Sequence, residues 1–541
     1  MKALLRRPQL ALLLLCLALY LPGLVTMPPL DRDEPRFAQA SRQMLESGDF
    51  VAIRFQDEAR NKKPVGIYWL QAASAGLLTD GARNAIWAYR LPSLLAAIAL
   101  VLMTFRVGRL LFDDPAALTG AALLAASLLL VGEAHIAKTD AVLSACIVGF
   151  TWGLASLYRD SGEPAACRRT AIGMWVALGF GVLVKGPIAP LFVGLTVAGL
   201  ALLDPDRRRW LRELRPLTGL AIVAVIVLPW VVAVQIATDG RFFAEAVGGD
   251  LLPKMASAQE SHGAPPGTYL GLLLLTFWPG TLLLPLAAVH AWRRRGEPAI
   301  RFCLAWLIPA WITYELIPTK LPHYVLPLYP ALALLAGAAL AASREQLSPS
   351  KWPLRLGLVP WTIVGLALAT AVAYLPTLYG RGLTMADGIA AAVIGALVVA
   401  TTVWGWRTEI GKTATGALAT AVVAVALVLG WTGPRLDALW VSRSVAAAIP
   451  ERTTSVAASG FAEPSLVFLL GTDTRLVPPG EAADLIASGD VSVAVVSADT
   501  LDAFTTRLAT LAVEVETVAT VTGFNYSKGD PVVLHIVRRA S

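Results

Sequence analysis

The chain has 541 residues, 56% of them hydrophobic and 15% charged, with a formal net charge of +7. A soluble domain carries about 25% charged residues, so the composition excludes an ordinary soluble protein and indicates an integral membrane protein. The basic excess is spread over short loops, with no basic segment interleaved with aromatics; it reports membrane orientation and excludes nucleic-acid binding.

The first apolar run, Pro8 to Val25, follows Lys2, Arg6 and Arg7. It is long for the core of a signal peptide and no small-x-small cleavage pattern precedes Pro28, so it reads as a retained first transmembrane helix. A spanning helix needs about 20 apolar residues. Further runs of this kind lie near 86–105, 115–133, 140–158, 171–185, 187–203, 217–237, 268–291, 300–317, 324–342, 356–376, 387–406 and 413–432, which predicts about thirteen spans. Alternate loops hold clusters such as Arg106 with Arg109, Arg168 with Arg169, Arg207 with Arg208 and Arg209, and Arg293 with Arg294 and Arg295. By the positive-inside rule these face the cytoplasm, placing the N-terminus inside and the C-terminal segment outside. The four cysteines have neither metal-ligand nor disulfide spacing.

The outer loop after the first span reads "PPLDRDEPRFAQASRQMLESGDF" over residues 28–50. Phe37, Ala40, Ser41, Met44 and Leu45 recur at helical spacing, Pro35 suits a first turn and Gly48 a stop, which predicts an amphipathic helix lying in the membrane interface. Asp33 and Glu34 fall at its N-terminus. From about Pro434 the pattern changes to strands followed by helices and a closing hairpin. The predicted fold is therefore an all-α polytopic membrane domain over 1–432, with interfacial helices at 31–85, and a small α/β domain over 433–541 on the outer side.

The charged residues gather at the outer ends of the predicted helices: Asp33, Glu34, Lys62, Lys63, His135, Lys138, Asp140, Lys185, His262, Lys320 and His323. Ionisable groups in mid-membrane mark ion and proton paths; a cluster at one face argues for a site at the membrane surface. Lys63, Lys138, Lys185 and Lys320 suit a phosphate, and Asp33, Glu34 and Asp140 suit proton transfer or orientation of a hydroxyl. Each residue also has a structural reading: helix capping for Asp33, Glu34 and Asp140, membrane anchoring for "NKKPVGIYW", and a helix entry for "PTKLPHYVLPLYP". Their common location argues for chemistry. A flippase or transporter of lipid-linked sugar and a non-catalytic scaffold with an outer binding domain are the competing functions.

These segments, with "AKTDAVL", "KGP" and "HGAPPGTY", resemble the bacterial branch of the GT-C glycosyltransferases, which includes the 4-amino-4-deoxy-L-arabinose lipid A transferases and relatives of the protein O-mannosyltransferases. The resemblance implies an inner-membrane enzyme acting on the periplasmic face, with an undecaprenyl-phosphate-linked sugar as donor and lipid A, another glycan or a protein as acceptor. It implies that Asp33 is the catalytic carboxylate, with Glu34 beside it, and that Lys63 contacts the lipid phosphate. It sets Tyr324 near that phosphate, and Asp140, Lys185, Lys320 and His323 belong to the same substrate-binding group. His262 is similar to a loop histidine of the family and stands as the candidate metal ligand; a divalent metal is the one cofactor implied. Arabinose transferases read Glu-Lys-Pro where this chain reads Lys62-Lys63-Pro64, and that Glu resembles a metal ligand, so the chain departs from the family pattern at the metal and at the sugar.

Overall fold

The computed structural model describes residues 7–79, 81, 83–159, 163–253, 263–345, 352–407, 409–449 and 455–540. Among them, nine helices are long and apolar enough to cross a membrane, from Ile86–Leu111 to Ile410–Arg435. Two further runs are broken helix pairs, and two are shorter apolar helices, Pro8–Tyr20 and Ile188–Leu203. Every predicted apolar run is thus helical. The 268–291 run is not one straight span, however. It is a pair of segments, Thr268–Thr276 and Gly280–Arg293, bent by 117°, because Pro279 cannot supply the amide that would carry the helix through the break. The chain is a multi-pass membrane protein whose core is continuous from Leu12 to Val425.

Close approach of these helices depends on small residues, as expected where lipid removes the hydrophobic drive for association. A Cβ on Gly337 would stand 2.2 Å from the Ala116 carbonyl oxygen, and one on Gly120 would stand 2.8 Å from that of Ala333. Only glycine lets the Tyr329–Glu345 and Asp114–Ala126 helices touch backbone to backbone.

The C-terminal segment forms a five-stranded sheet in the order Arg475–Leu476, Val456–Ser459, Val493–Ser497, Asp530–Arg539, Val515–Asn525. The first two pairings are parallel and the last two antiparallel. Helices Pro464–Leu470 and Leu501–Leu511 follow the two strands predicted to precede them, so the strand–helix reading and the closing hairpin both hold.

Asp33–Ser47 is helical, and Gly48 ends it in the left-handed region at φ 73°, where glycine carries no steric penalty. The predicted apolar face is buried at Phe37, Ala40, Ser41 and Met44, but it packs on protein rather than lying on lipid. Phe37 stacks on Tyr68 of the Gly66–Leu78 helix at 5.3 Å, and the Ser41 hydroxyl donates to Gln71 Oε1 at 2.8 Å. From the other side, Arg42 donates to the Phe468 carbonyl and Gln39 to the Thr472 hydroxyl. The helix is a wedge between the membrane bundle and the C-terminal domain.

Two groups fasten this wedge. Arg90, fully buried, makes a bidentate pair with Glu34, both N–O distances being 2.8 Å, and its remaining N–H groups donate to the carbonyls of Leu24, Met27 and Pro28. Glu34 also accepts from the backbone amides of Leu30 and Ala137. Asp31 reaches the sheet domain: its carboxylate accepts from the Ser465 amide and hydroxyl at 2.9 and 2.6 Å, and its own amide donates to the Tyr526 hydroxyl.

Glu34→Gln or Arg90→Met leaves one half of a buried pair uncompensated, which costs about 3–5 kcal/mol; either variant should unfold at clearly lower temperature in detergent, whereas Asp33→Asn should not. Enclosure between the domains pushes the Asp31 carboxyl from its ordinary 3.8 up to about 7, against the lowering bonds from Ser465. A folded-state value above that of the unfolded chain favours the fold fully below about pH 4. That contribution is lost as the pH rises through 7. Domain stability should therefore fall between pH 4 and 8 by a component that Asp31→Asn abolishes; an unchanged pH slope in that variant would remove Asp31 as its source.

Candidate active site

The site grows from the meeting of two short motifs. In "NKKPVG" the chain turns into the Gly66–Leu78 helix, and in "VKGP" it leaves the Pro164–Lys185 helix through Gly186 at φ 60°. A Cβ on Gly66 would stand 2.8 Å from the Leu183 carbonyl oxygen, so glycine is what lets the two turns touch. Their contact sets Lys63 and Lys185 on one wall.

Lys138 and Asp140 come from the turn that opens the Asp140–Arg159 helix, and His323 and Tyr324 from the entry to the next buried span. Lys185 Nζ donates to Asp140 Oδ1 at 2.5 Å and lies 5.2 Å from the centre of the Tyr324 ring. Lys138 Nζ pairs with Glu133 at 3.0 Å and donates to His323 Nδ1 at 3.1 Å, while His323 Nε2 stands 3.8 Å from Asp140. Burial alone would lower the Lys138 ammonium, but the Glu133 and Asp140 carboxylates beside it raise it above its ordinary range, so it stays charged. Lys63 pairs with Asp250 at 2.6 Å.

These residues line three adjoining spaces. A groove of about 1050 Å³ is lined by Lys62, Lys63 and Lys185 and by the apolar Leu143, Leu191, Phe242 and Val247. A polar cavity of about 930 Å³ is lined by Asp33, Arg36, Arg60, Lys63, Lys138, Asp140, Lys185, His323 and Tyr324. Beyond it a wider cleft of about 1910 Å³ runs between the Asp33 segment and the sheet domain, where Tyr526 and Ser527 form its far wall. Asp33 borders both the polar cavity and the wide cleft.

The Asp33 side chain is exposed and does not cap its helix: the N-cap position is Arg32 and no side-chain cap bond is made there. Its neighbour is different. Both Glu34 oxygens are saturated by Arg90 and two amides inside the core, so Glu34 serves the fold and, of the expected pair, Asp33 alone faces the polar cavity. Lys320 is likewise corrected. Its ammonium donates to the carbonyls of Tyr314, Glu315 and Ile317, closing the end of the Pro298–Leu316 helix in place of the missing helical donors. It does not line the cavity. His262 lies outside the described residues.

The described residues hold no group of three or more His, Cys, Asp or Glu placed for a metal ion. Asp140, Glu133 and Asp250 each face a lysine, and a donor set already answered by ammonium groups does not fit a divalent cation. Arg36, Arg60, Glu133 and Asp250 escaped the sequence reading. Arg36 was within reach, one helical turn after Asp33; Asp250 lies in "VGGDLL", which carries no motif.

Residues 62–232 match the family model described as dolichyl-phosphate-mannose-protein mannosyltransferase. Two curated relatives are undecaprenyl phosphate-alpha-4-amino-4-deoxy-L-arabinose arabinosyl transferases. The protein of Pseudomonas aeruginosa (strain UCBPP-PA14) is 32% identical over 63% of this chain and 61% of its own. That of Pseudomonas paraeruginosa is 31% identical over 58% and 56%. The chain thus spans about three fifths of the length of the curated relatives it matches. The crystal structure of ArnT from Cupriavidus metallidurans bound to undecaprenyl phosphate superposes with a TM-score of 0.76 at 21% identity, covering 97% of both chains. An oligosaccharyltransferase from Archaeoglobus fulgidus follows at 0.55 and 12% identity, over 92% of this chain and 69% of its own. The chain therefore shares the fold of the Cupriavidus metallidurans protein along nearly its whole length, and it is similar in sequence over about three fifths of its length to the aminoarabinose transferases.

Proposed function

We propose that the protein is a glycosyltransferase of the bacterial inner membrane. It moves a sugar from a polyprenyl-phosphate carrier to a lipid A-like or other envelope acceptor on the periplasmic face. One observation carries this reading: an apolar groove is lined by Lys62, Lys63 and Lys185, and the adjoining polar cavity is bordered by the carboxylate of Asp33, which makes no ion pair within 4.0 Å among the described residues. The Arg-rich loops on the opposite side support an outward-facing site.

In the transfer, an acceptor oxygen attacks the anomeric carbon, the bond from that carbon to the carrier phosphate breaks, and the phosphate leaves with the electron pair. Lys63 and Lys185 meet the growing negative charge and so stabilise the transition state more than the bound donor. Asp33 faces the anomeric side, steadies the developing positive charge and takes the acceptor proton when the acceptor is a hydroxyl. A single displacement with inversion is the simplest course: Asp33 is offered to the acceptor side, and the carboxylates beside the phosphate lysines, Asp140 and Asp250, are paired with ammonium groups.

Asp33→Asn should retain thermal stability and carrier binding and lose transfer at least about a hundredfold, roughly 2.7 kcal/mol of transition-state stabilisation. Full transfer in that variant would exclude Asp33 from the catalytic role. Lys63→Ala should weaken binding of undecaprenyl phosphate about ten- to a hundredfold, the worth of one charge-assisted contact at roughly 1.5–3 kcal/mol; unchanged affinity by equilibrium binding in nanodiscs would exclude Lys63 from the phosphate site.

A further inference from the structure

Six basic side chains line the polar cavity, and they divide into two sets. Lys63, Lys138 and Lys185 each lie within ion-pair distance of a carboxylate, respectively Asp250, Glu133 and Asp140. Arg36, Arg60 and Lys62 do not: among the described residues no carboxylate comes within 4.0 Å of their basic nitrogens. The Arg60 guanidinium lies over the face of Phe37, 5.1 Å from the ring centre. This second set stands beside Asp33, where the polar cavity opens into the wide cleft, so it borders the position of the sugar and not only that of the phosphate.

The local charge count constrains that sugar. Within the polar cavity, where the three paired lysines and their carboxylates cancel, the three cations outweigh Asp33 by two positive charges. A carrier phosphodiester offsets one of them and leaves one. A sugar bearing an ammonium group would add to the excess, in a partly enclosed site where like charges repel strongly. A sugar bearing a carboxylate would cancel it, and two guanidinium groups offer the planar donor pairs that carboxylates accept. The relatives are named for an amino sugar, so the charge requirement here runs the other way.

We infer that Arg36, Arg60 and Lys62 form an anion subsite beside Asp33, which selects a uronic acid, a sugar bearing a carboxylate, on the polyprenyl-phosphate donor. The inference rests on the reading of the groove as a carrier-lipid site. It names an anionic group on the donor sugar; an acceptor phosphate is the other source of the same chemistry, and the experiment separates the two.

The full-length protein in nanodiscs is titrated with bare decaprenyl phosphate and with decaprenyl phosphate linked to glucuronic acid, glucose or 4-amino-4-deoxy-L-arabinose. The readout is each sugar's affinity relative to the bare carrier, which corrects for loss of carrier binding. The uronic acid should bind at least tenfold tighter than the amino sugar, with glucose between. Lys62→Glu and Arg36→Gln should each erase most of that preference, and Lys62→Glu should favour the amino sugar. Lys62 is exposed, so its variant tests the subsite without disturbing the core. Equal affinities for the three sugars with normal binding of bare decaprenyl phosphate overturn the inference alone; no binding of the bare carrier overturns both it and the function it rests on. In a parallel arm, lipid A and its dephosphorylated form are titrated onto protein saturated with bare carrier. If the variants change only the phosphate dependence of lipid A binding, the subsite serves the acceptor and the sugar assignment fails.

Discussion

The buried ion pair of Glu34 and Arg90 is the constraint on which the arrangement of the site depends. Two charges removed from water are costly, and their attraction compensates only when every remaining donor and acceptor is also answered. Here they are: Arg90 donates to both carboxylate oxygens and to three carbonyls of the segment 24–28, and Glu34 accepts two further amides. One residue pair thereby ties the end of the first span, the start of the wedge helix, the Ile86–Leu111 helix and the turn that carries Lys138. Asp33 is the residue next to Glu34. A rigid neighbour facing inward is what holds an exposed carboxylate facing outward.

Around the cavity, fixed charges of opposite sign lie close together in a site partly shielded from water. Lysines paired with carboxylates are held in place, so an anion entering the cavity would meet ammonium groups already oriented. The apolar groove and the polar cavity share Lys62, Lys63 and Lys185, so the boundary between the apolar and the polar space is set by side chains that face both.

Most of the fold was legible in the sequence because the bilayer imposes a length and a polarity on each span. The 268–291 segment was misread for the same reason: an apolar run of the right length looks like a span even when Pro279 bends it by 117°. The wedge helix shows a related limit. Its periodicity at Phe37, Ala40, Ser41 and Met44 identified a buried face, but periodicity does not say whether lipid or protein covers that face, and here Tyr68 and Gln71 do. Within the site, charges on one outer face could be grouped without coordinates. What could not be read was which of them are consumed by the fold: Glu34 by an arginine 56 positions away, Lys320 by carbonyls of its own preceding helix. Adjacent letters such as Asp33 and Glu34 carry no mark of which side chain points inward.

The far wall of the wide cleft comes from Tyr526 and Ser527, at the turn of the last hairpin, and Arg32 donates to the Ser527 carbonyl across 495 positions of sequence. Translation proceeds from the N-terminus, so the helices that line the apolar groove are made before this wall. The order of synthesis therefore leaves the wide cleft open on one side until the last hairpin is made. Completion of that hairpin is the event that gives the cleft its second wall.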